Sequence, residues 1–259
     1  MTMNKGDNKG IREWNVKGAD GRAIYGCHRK PEGDGPFPAV LFVHGGYGDN
    51  KEYTQAMLDW SVSQRLVQEG FVVLSTDYRV DLSGEDIGDV VRAFRFASGL
   101  PFVGDRKIAY FGDSHGAYLV IMAAIQTNPF ALVHGWGVAD MAEWFGHIKE
   151  LPASYYKTIT EDLVKSLGGT PDQAAEAYRL ASPAAHVAKI KCPILILHGE
   201  LDEDVPVVHA NLLAQAIEKA GGDYELAIFK DAGHGLRTPE ARQEMDPLVL
   251  QFLKRHQKY

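Results

Sequence analysis

The sequence predicts an α/β protein, a mostly parallel sheet of about eight strands with helices on both faces. Three observations predict it. Short apolar runs recur at residues 39–43, 71–76, 107–111, 131–136, 194–198 and 224–229. They are hydrophobic at nearly every position, not at alternate ones, so both faces of each strand are buried, as in a parallel sheet covered by helices. Helical patterns fill the gaps at 53–69, 85–97, 117–126, 207–220 and 240–256, and the order strand, helix, strand, helix is that of crossover units.

At the start of the chain, residues 11–16 and 22–28 flank a turn containing Asp20-Gly21, which predicts an antiparallel hairpin at the sheet edge. Gly70 and Gly99 fall where helices should stop. Between 139 and 190 the alternation lapses into mostly helical text with Trp144, Phe145, Tyr155 and Tyr156, which predicts a small cap-like insertion over the carboxyl edge of the sheet. No repeat, low-complexity tract or long linker interrupts the chain, so 1–259 is expected to form one domain.

Composition narrows the partners. The chain is 45% hydrophobic and 24% charged, ordinary for a soluble globular protein. Acidic residues outnumber basic ones 34 to 27, giving a formal charge of −7 without a basic patch, which argues against nucleic acid. Cys27 and Cys192 have no Cys or His neighbour at metal-ligand spacing and read as buried, reduced thiols. The N-terminus is polar, without the apolar core of a signal peptide, and no segment has the length and apolarity of a membrane span. The cytoplasm is the expected location.

Gly112-Asp113-Ser114-His115-Gly116 fits the G-x-S-x-G pattern and lies between the strand at 107–111 and the helix at 117–126. A nucleophilic serine needs a sharp strand-to-helix turn, and glycines on either side keep that turn free of collisions. A serine hydroxyl also needs a base, and the base needs an orienting carboxylate. In the α/β-hydrolase arrangement acid and then histidine follow the serine. His234, flanked by glycines in Asp231-Ala232-Gly233-His234-Gly235 just after the run at 224–229, is the candidate base; the other histidines lie in or beside predicted strands, helices or turns with simpler uses. The loop after 194–198 offers four acids, Glu200, Asp202, Glu203 and Asp204. His44-Gly45-Gly46-Tyr47-Gly48 closes the strand at 39–43 and is the expected source of one oxyanion donor, the backbone N–H of Gly46 or Tyr47, unless the Tyr47 hydroxyl serves instead; the N–H of His115 is the other.

These residues resemble the catalytic domain of the prolyl oligopeptidase group, which includes acylaminoacyl peptidases and related esterases. The resemblance is carried by His44-Gly45-Gly46, Asp77-Tyr78-Arg79, Asp105-Arg106-Lys107-Ile108, the Ser114 motif, Ser182-Pro183, and the stretch from Cys192-Pro193 through His198-Gly199 to Asp202-Glu203-Asp204-Val205-Pro206. It implies an α/β-hydrolase fold with no metal or cofactor. It also selects Asp202 as the acid, because the family's acid stands three residues before the Val-Pro pair. It further implies that the edge strand or last helix can pair with a second copy as a homodimer. Strong peptidases of the group carry an N-terminal β-propeller, and the segment before residue 39 is too short for one. The expected activity is therefore hydrolysis of small acyl esters through a Ser114-His234-Asp202 triad and an acyl-enzyme. Exopeptidase or acyl-peptide hydrolase action with the same triad is the alternative, and a non-catalytic ligand-binding relative ranks last because all three triad side chains are present. Trp136 and Trp144 are candidates to line an acyl or alcohol pocket.

Overall fold

A computed structural model describes residues 10–46, 48–79 and 84–257. Eight strands form one sheet in the order β1-β2-β4-β3-β5-β6-β7-β8. The predicted hairpin supplies β1 (Arg12–Lys17) and β2 (Ala23–Arg29), which pair antiparallel with each other, and β2 then pairs antiparallel with β4 (Val72–Thr76). The rest of the sheet is parallel: β4, β3 (Phe37–Val43), β5 (Val103–Asp113), β6 (Leu132–Gly135), β7 (Ile194–Gly199) and β8 (Tyr224–Phe229). Every residue of β4, β6 and β7 is buried, whereas β8, at the edge, is mostly half-buried.

Successive side chains of a strand point to opposite faces. Ala39, Leu41 and Val43 of β3 therefore join one apolar layer while Val40 and Phe42 join the other. The first layer is completed by α3 (Glu85–Ser98), α4 (His115–Ala124), α8 (Val208–Lys219) and three helices between β6 and β7, α5 (Met141–Ile148), α6 (Ser154–Leu167) and α7 (Ala175–Ala181). The second is closed by α2 (Ser61–Gln68) and α9 (Pro239–His256). Helix α4 is apolar around nearly its whole circumference and is buried accordingly, which locks the turn before it against the sheet.

One expectation needs correction. The helix expected at 53–69 is broken: α1 (Lys51–Ala56) runs into a 3-10 turn at Met57–Asp59, and Trp60 is extended (ψ 146°) before α2 begins. At the break the Trp60 ring meets Tyr53 and packs edge-on with Phe111, and the Met57 carbonyl accepts both the Trp60 N–H (3.3 Å) and the Ser63 hydroxyl (2.6 Å). Gly70 and Gly99 both stand at helix stops as expected, Gly70 just beyond α2 at a left-handed φ of +91° and Gly99 as the cap of α3 at φ −91°. Among the described residues no helix is long and apolar enough to cross a membrane.

Candidate active site

Strands β3, β5, β7 and β8 all end at one edge of the sheet, so the loops that follow them meet there. Ser114 follows β5 directly as N-cap of α4, with φ 51° and ψ −119°. Only close packing holds a serine in that region. A Cβ on Gly112 would lie 2.3 Å from the Gly116 carbonyl oxygen, and one on Gly116 would lie 2.0 Å from that of Val43, so both glycines are required by the approach of α4 to β5 and β3. The other non-glycine residues with positive φ among those described, Asp49, Trp136, Asp231 and Leu236, also follow the carboxyl ends of strands. Strain is concentrated where the loops converge.

The three residues expected to act together are within hydrogen-bond reach. His234 Nε2 lies 2.9 Å from Ser114 Oγ, and His234 Nδ1 lies 2.8 and 3.0 Å from the two carboxylate oxygens of Asp202. A carboxylate only accepts, so Nδ1 carries the proton and Nε2 is left to accept from the serine. Asp202 also accepts the backbone N–H groups of Asp204 (3.0 Å) and Val205 (2.9 Å), and His198 Nε2 approaches it at 3.3 Å. Burial pushes the Asp202 pKa up, but the bonds from His198 and His234, the His234 charge and the Val205 N–H outweigh it and bring the pKa down to about 2. The acid is thus ionised at neutral pH. Of its three sequence rivals, Asp204 accepts a bond from the Tyr156 hydroxyl of α6, while the backbone carbonyls of Glu203 and Asp204 accept from His147 Nε2 (2.7 Å) and Trp144 Nε1 (3.0 Å) of α5. The segment over the sheet edge therefore holds the acid loop in place.

Gly46 borders Ser114 at the mouth of the site with φ +71°. The Tyr78 hydroxyl donates to the carbonyls of both His44 (3.0 Å) and Gly46 (2.7 Å), and Asp77 Oδ1 accepts from His44 Nε2 at 3.2 Å. Pinning the carbonyls to one side fixes the direction in which the loop's amides can point. Tyr47, the other expected donor, lies outside the described residues. His115 opens α4, where the first N–H groups of a helix have no partner within it; its ring stacks on Tyr118 and faces buried Asp86, Nε2 to Oδ2 3.5 Å.

Two cavities meet at Ser114. One, of about 70 Å³, is apolar and walled by Tyr118, Val138, Met141, Trp144, Ile159 and Val205. The other, of about 240 Å³, is polar, and His234 opens into it alongside Tyr53, Trp60, Asp113, Arg237 and Arg242. Trp144 thus lines the apolar cavity and Trp136 the polar one.

The sequence pattern of the prolyl oligopeptidase family, Peptidase_S9, matches residues 74–259. The chain belongs to the prolyl oligopeptidase family. The family is one of serine hydrolases built on the α/β-hydrolase fold, and a catalytic triad is expected of its members. This family member is 27% identical over 246 residues to a Bacillus subtilis protein named "Uncharacterized peptidase YtmA", covering 91% of this chain and 90% of that protein. It is also 27% identical over 257 residues to human dipeptidyl peptidase 8, but spans only 27% of that protein's length. Among solved structures, a puromycin-hydrolyzing peptidase of Mycobacterium tuberculosis superposes with a TM-score of 0.78 at 20% identity, over 96% of this chain and 39% of that one. The acylaminoacyl peptidase of Pyrococcus horikoshii superposes with a TM-score of 0.78 at 21% identity, over 100% and 43%. These last two likenesses concern the fold.

Several residues of this family member stand at the site without having been singled out for it. Nothing in Asp77-Tyr78-Arg79 says that the Tyr78 hydroxyl reaches back 34 and 32 residues to two carbonyls. Arg237 and Arg242 are separated by a turn and a helix start, with no spacing rule to place both beside Ser114. His198 lies near the end of a strand, and its position four residues before an acid on a tight loop is a signal for a second contact.

Proposed function

We propose that this chain hydrolyses short peptides or acyl-peptides, with Ser114 as nucleophile, His234 as general base and acid, and Asp202 as the residue that orients His234. The observation that carries the reading is the continuous chain from Asp202 to His234 to Ser114 Oγ, placed where the two cavities join. Ser114 Oγ attacks the carbonyl carbon while His234 Nε2 takes its proton, and the oxyanion is met by backbone N–H groups of His115 and of the Gly46-Tyr47 loop. His234 then gives the proton to the departing amine, the C–N bond breaks, and water hydrolyses the acyl-enzyme by the same steps. The small apolar cavity suits a compact apolar group on the acyl side.

Esters of the same acyl group pass through the same acyl-enzyme and form the second reading. A matched amide and ester with one short apolar acyl group, tested with the protein and with Ser114→Ala, separate the readings. Turnover of both substrates, lost by about a thousandfold or more in the variant, is the expected result. Ester turnover alone favours the second reading, and no Ser114-dependent turnover of either substrate overturns both.

A further inference from the structure

The polar cavity beside Ser114 contains two guanidinium groups that the hydrolytic steps above do not use. Arg242, on the first turn of α9, sits with its guanidinium carbon 4.7 Å from the centre of the Trp60 ring and 5.9 Å from that of Trp136. One of its N–H groups is taken by the Gly235 carbonyl at 2.9 Å, which leaves the remaining donors of the fork unassigned. Arg237 is exposed, and its stem folds back over Gly235, so that a Cβ there would lie 3.0 Å from its Nε. Both arginines line the cavity that His234 enters.

Neither arginine forms an ion pair with any carboxylate among the described residues, although acids outnumber bases in the chain 34 to 27. Asp113 and Asp204 also line the cavity, where one oxygen of each accepts a tyrosine hydroxyl, Tyr53 (3.0 Å) and Tyr156, and neither carboxylate is in ion-pair contact with a guanidinium. Burial lowers the Arg242 pKa, Asp113 and Asp246 oppose that from a distance, and Arg237 adds repulsion. Two like charges that share one half-enclosed space, without a counter-charge in contact, form a receptor for an anion.

The position of His234 says which part of the substrate brings that anion. A proton leaves His234 toward the departing group, so the cavity His234 enters is the leaving-group side, while the apolar cavity that His234 does not line takes the acyl side. We propose that Arg237 and Arg242 bind a carboxylate on the leaving group, which makes the preferred substrate a short peptide whose departing residue carries the free C-terminal carboxylate. This rests on the roles given above to Ser114 and His234. Planar, forked guanidiniums suit a carboxylate better than a point charge would, and Trp60 and Trp136 restrict the plane in which Arg242 presents its donors.

The test compares acetyl-leucyl-glycine with acetyl-leucyl-glycinamide, which differ only in the charge of the departing residue. Hydrolysis by the protein should favour the free acid by about tenfold in kcat/KM, the effect of one charge-assisted contact in a half-open site. In Arg237→Ala, whose exposed side chain can be removed with little risk to folding, and in Arg242→Gln the ratio should fall toward one. Calorimetric binding of the same two ligands to Ser114→Ala reads the site without turnover, and the acid should bind about tenfold more tightly than the amide. Ser114-dependent cleavage of both ligands without preference overturns the carboxylate site and leaves the proposed function standing. Tight binding of the acid that depends on Arg237, without cleavage of either ligand, supports the site and counts against the proposed function. Equal binding of acid and amide overturns the site.

Discussion

Tyr78 links packing to chemistry through one oxygen atom. Its ring is buried and faces His44 at 4.8 Å, and its hydroxyl satisfies two carbonyls of the glycine loop that would otherwise compete for the direction of the neighbouring amides. Tyr78→Phe keeps the ring and removes only that oxygen, leaving two carbonyls without the donor they share. The expected outcome is a loss of about 1–3 kcal/mol in urea unfolding, from the unmet buried carbonyl of His44, and, under the proposed mechanism, in which the amides steady the oxyanion and not the ground state, a fall of about tenfold in kcat with little change in KM. An unchanged kcat in a destabilised variant would reduce Tyr78 to packing. Asp202 shows what can be read from residue types alone. Four acids share its loop, and a resemblance to a family selected among them; in the structure Asp202 is the one that His234 Nδ1 reaches and that the amides of residues 204 and 205 hold. The backbone turn that aims these amides is a tertiary outcome, so no feature of Gly199-Glu200-Leu201-Asp202-Glu203-Asp204 displays it in advance.

At the scale of elements, the strands were legible because burial on both faces leaves a continuous apolar run, and the serine motif was legible because it needs a strand before it and a helix after it. The break at Trp60 was not, since residues 53–69 keep an acceptable helical pattern and only the pull of Tyr53, Phe111 and Arg242 on the indole explains the kink. The closeness of α4 to β3 was visible only as a glycine. Gly116→Ala would put a methyl group 2.0 Å from the Val43 carbonyl oxygen, against backbone that cannot rotate away. Because α4 is buried nearly all round, it cannot shift without opening the first core layer, so the variant should lose more than about 4 kcal/mol or fail to accumulate as soluble protein. A melting temperature within a few degrees of the parent would show that the contact yields. Helix α5 acts on the acid loop more gently. Trp144→Phe preserves an aromatic wall in the apolar cavity but removes the N–H that holds the Asp204 carbonyl, and the expected result is a kcat reduced about threefold to tenfold with the fold intact by circular dichroism.

For the molecule as a whole, the distribution of buried histidines predicts acid lability that begins well above the range in which carboxylates titrate. His28 in β2, His134 in β6 and His209 in α8 are buried, and burial lowers their pKa values from 6.5 to about 4, 3 and 4. His134 is the extreme case, with no hydrogen-bond partner at either ring nitrogen among the described residues. Well above pH 7 these rings are neutral in both folded and unfolded chains and add little to the pH dependence. As pH falls below 6.5 the unfolded chain takes up protons that the folded one refuses, so stability declines until the folded values are reached near pH 4. Asp202, held at about 2, keeps its contribution until the pH passes below its ordinary 3.8. Asp113 and Asp246, whose pKa values burial raises, act in the opposite sense and relieve part of the loss as they take up protons. Urea midpoints measured at pH 7.5, 6.5, 5.5 and 4.5 should fall steadily below pH 6.5, and His28→Gln and His134→Leu should each flatten the fall by about one proton's share, whatever either does to the midpoint at pH 7.5. A midpoint that stays level to pH 4.5 would mean that these rings accept protons in place, which for His134 requires partners or water at nitrogens that the packing leaves dry.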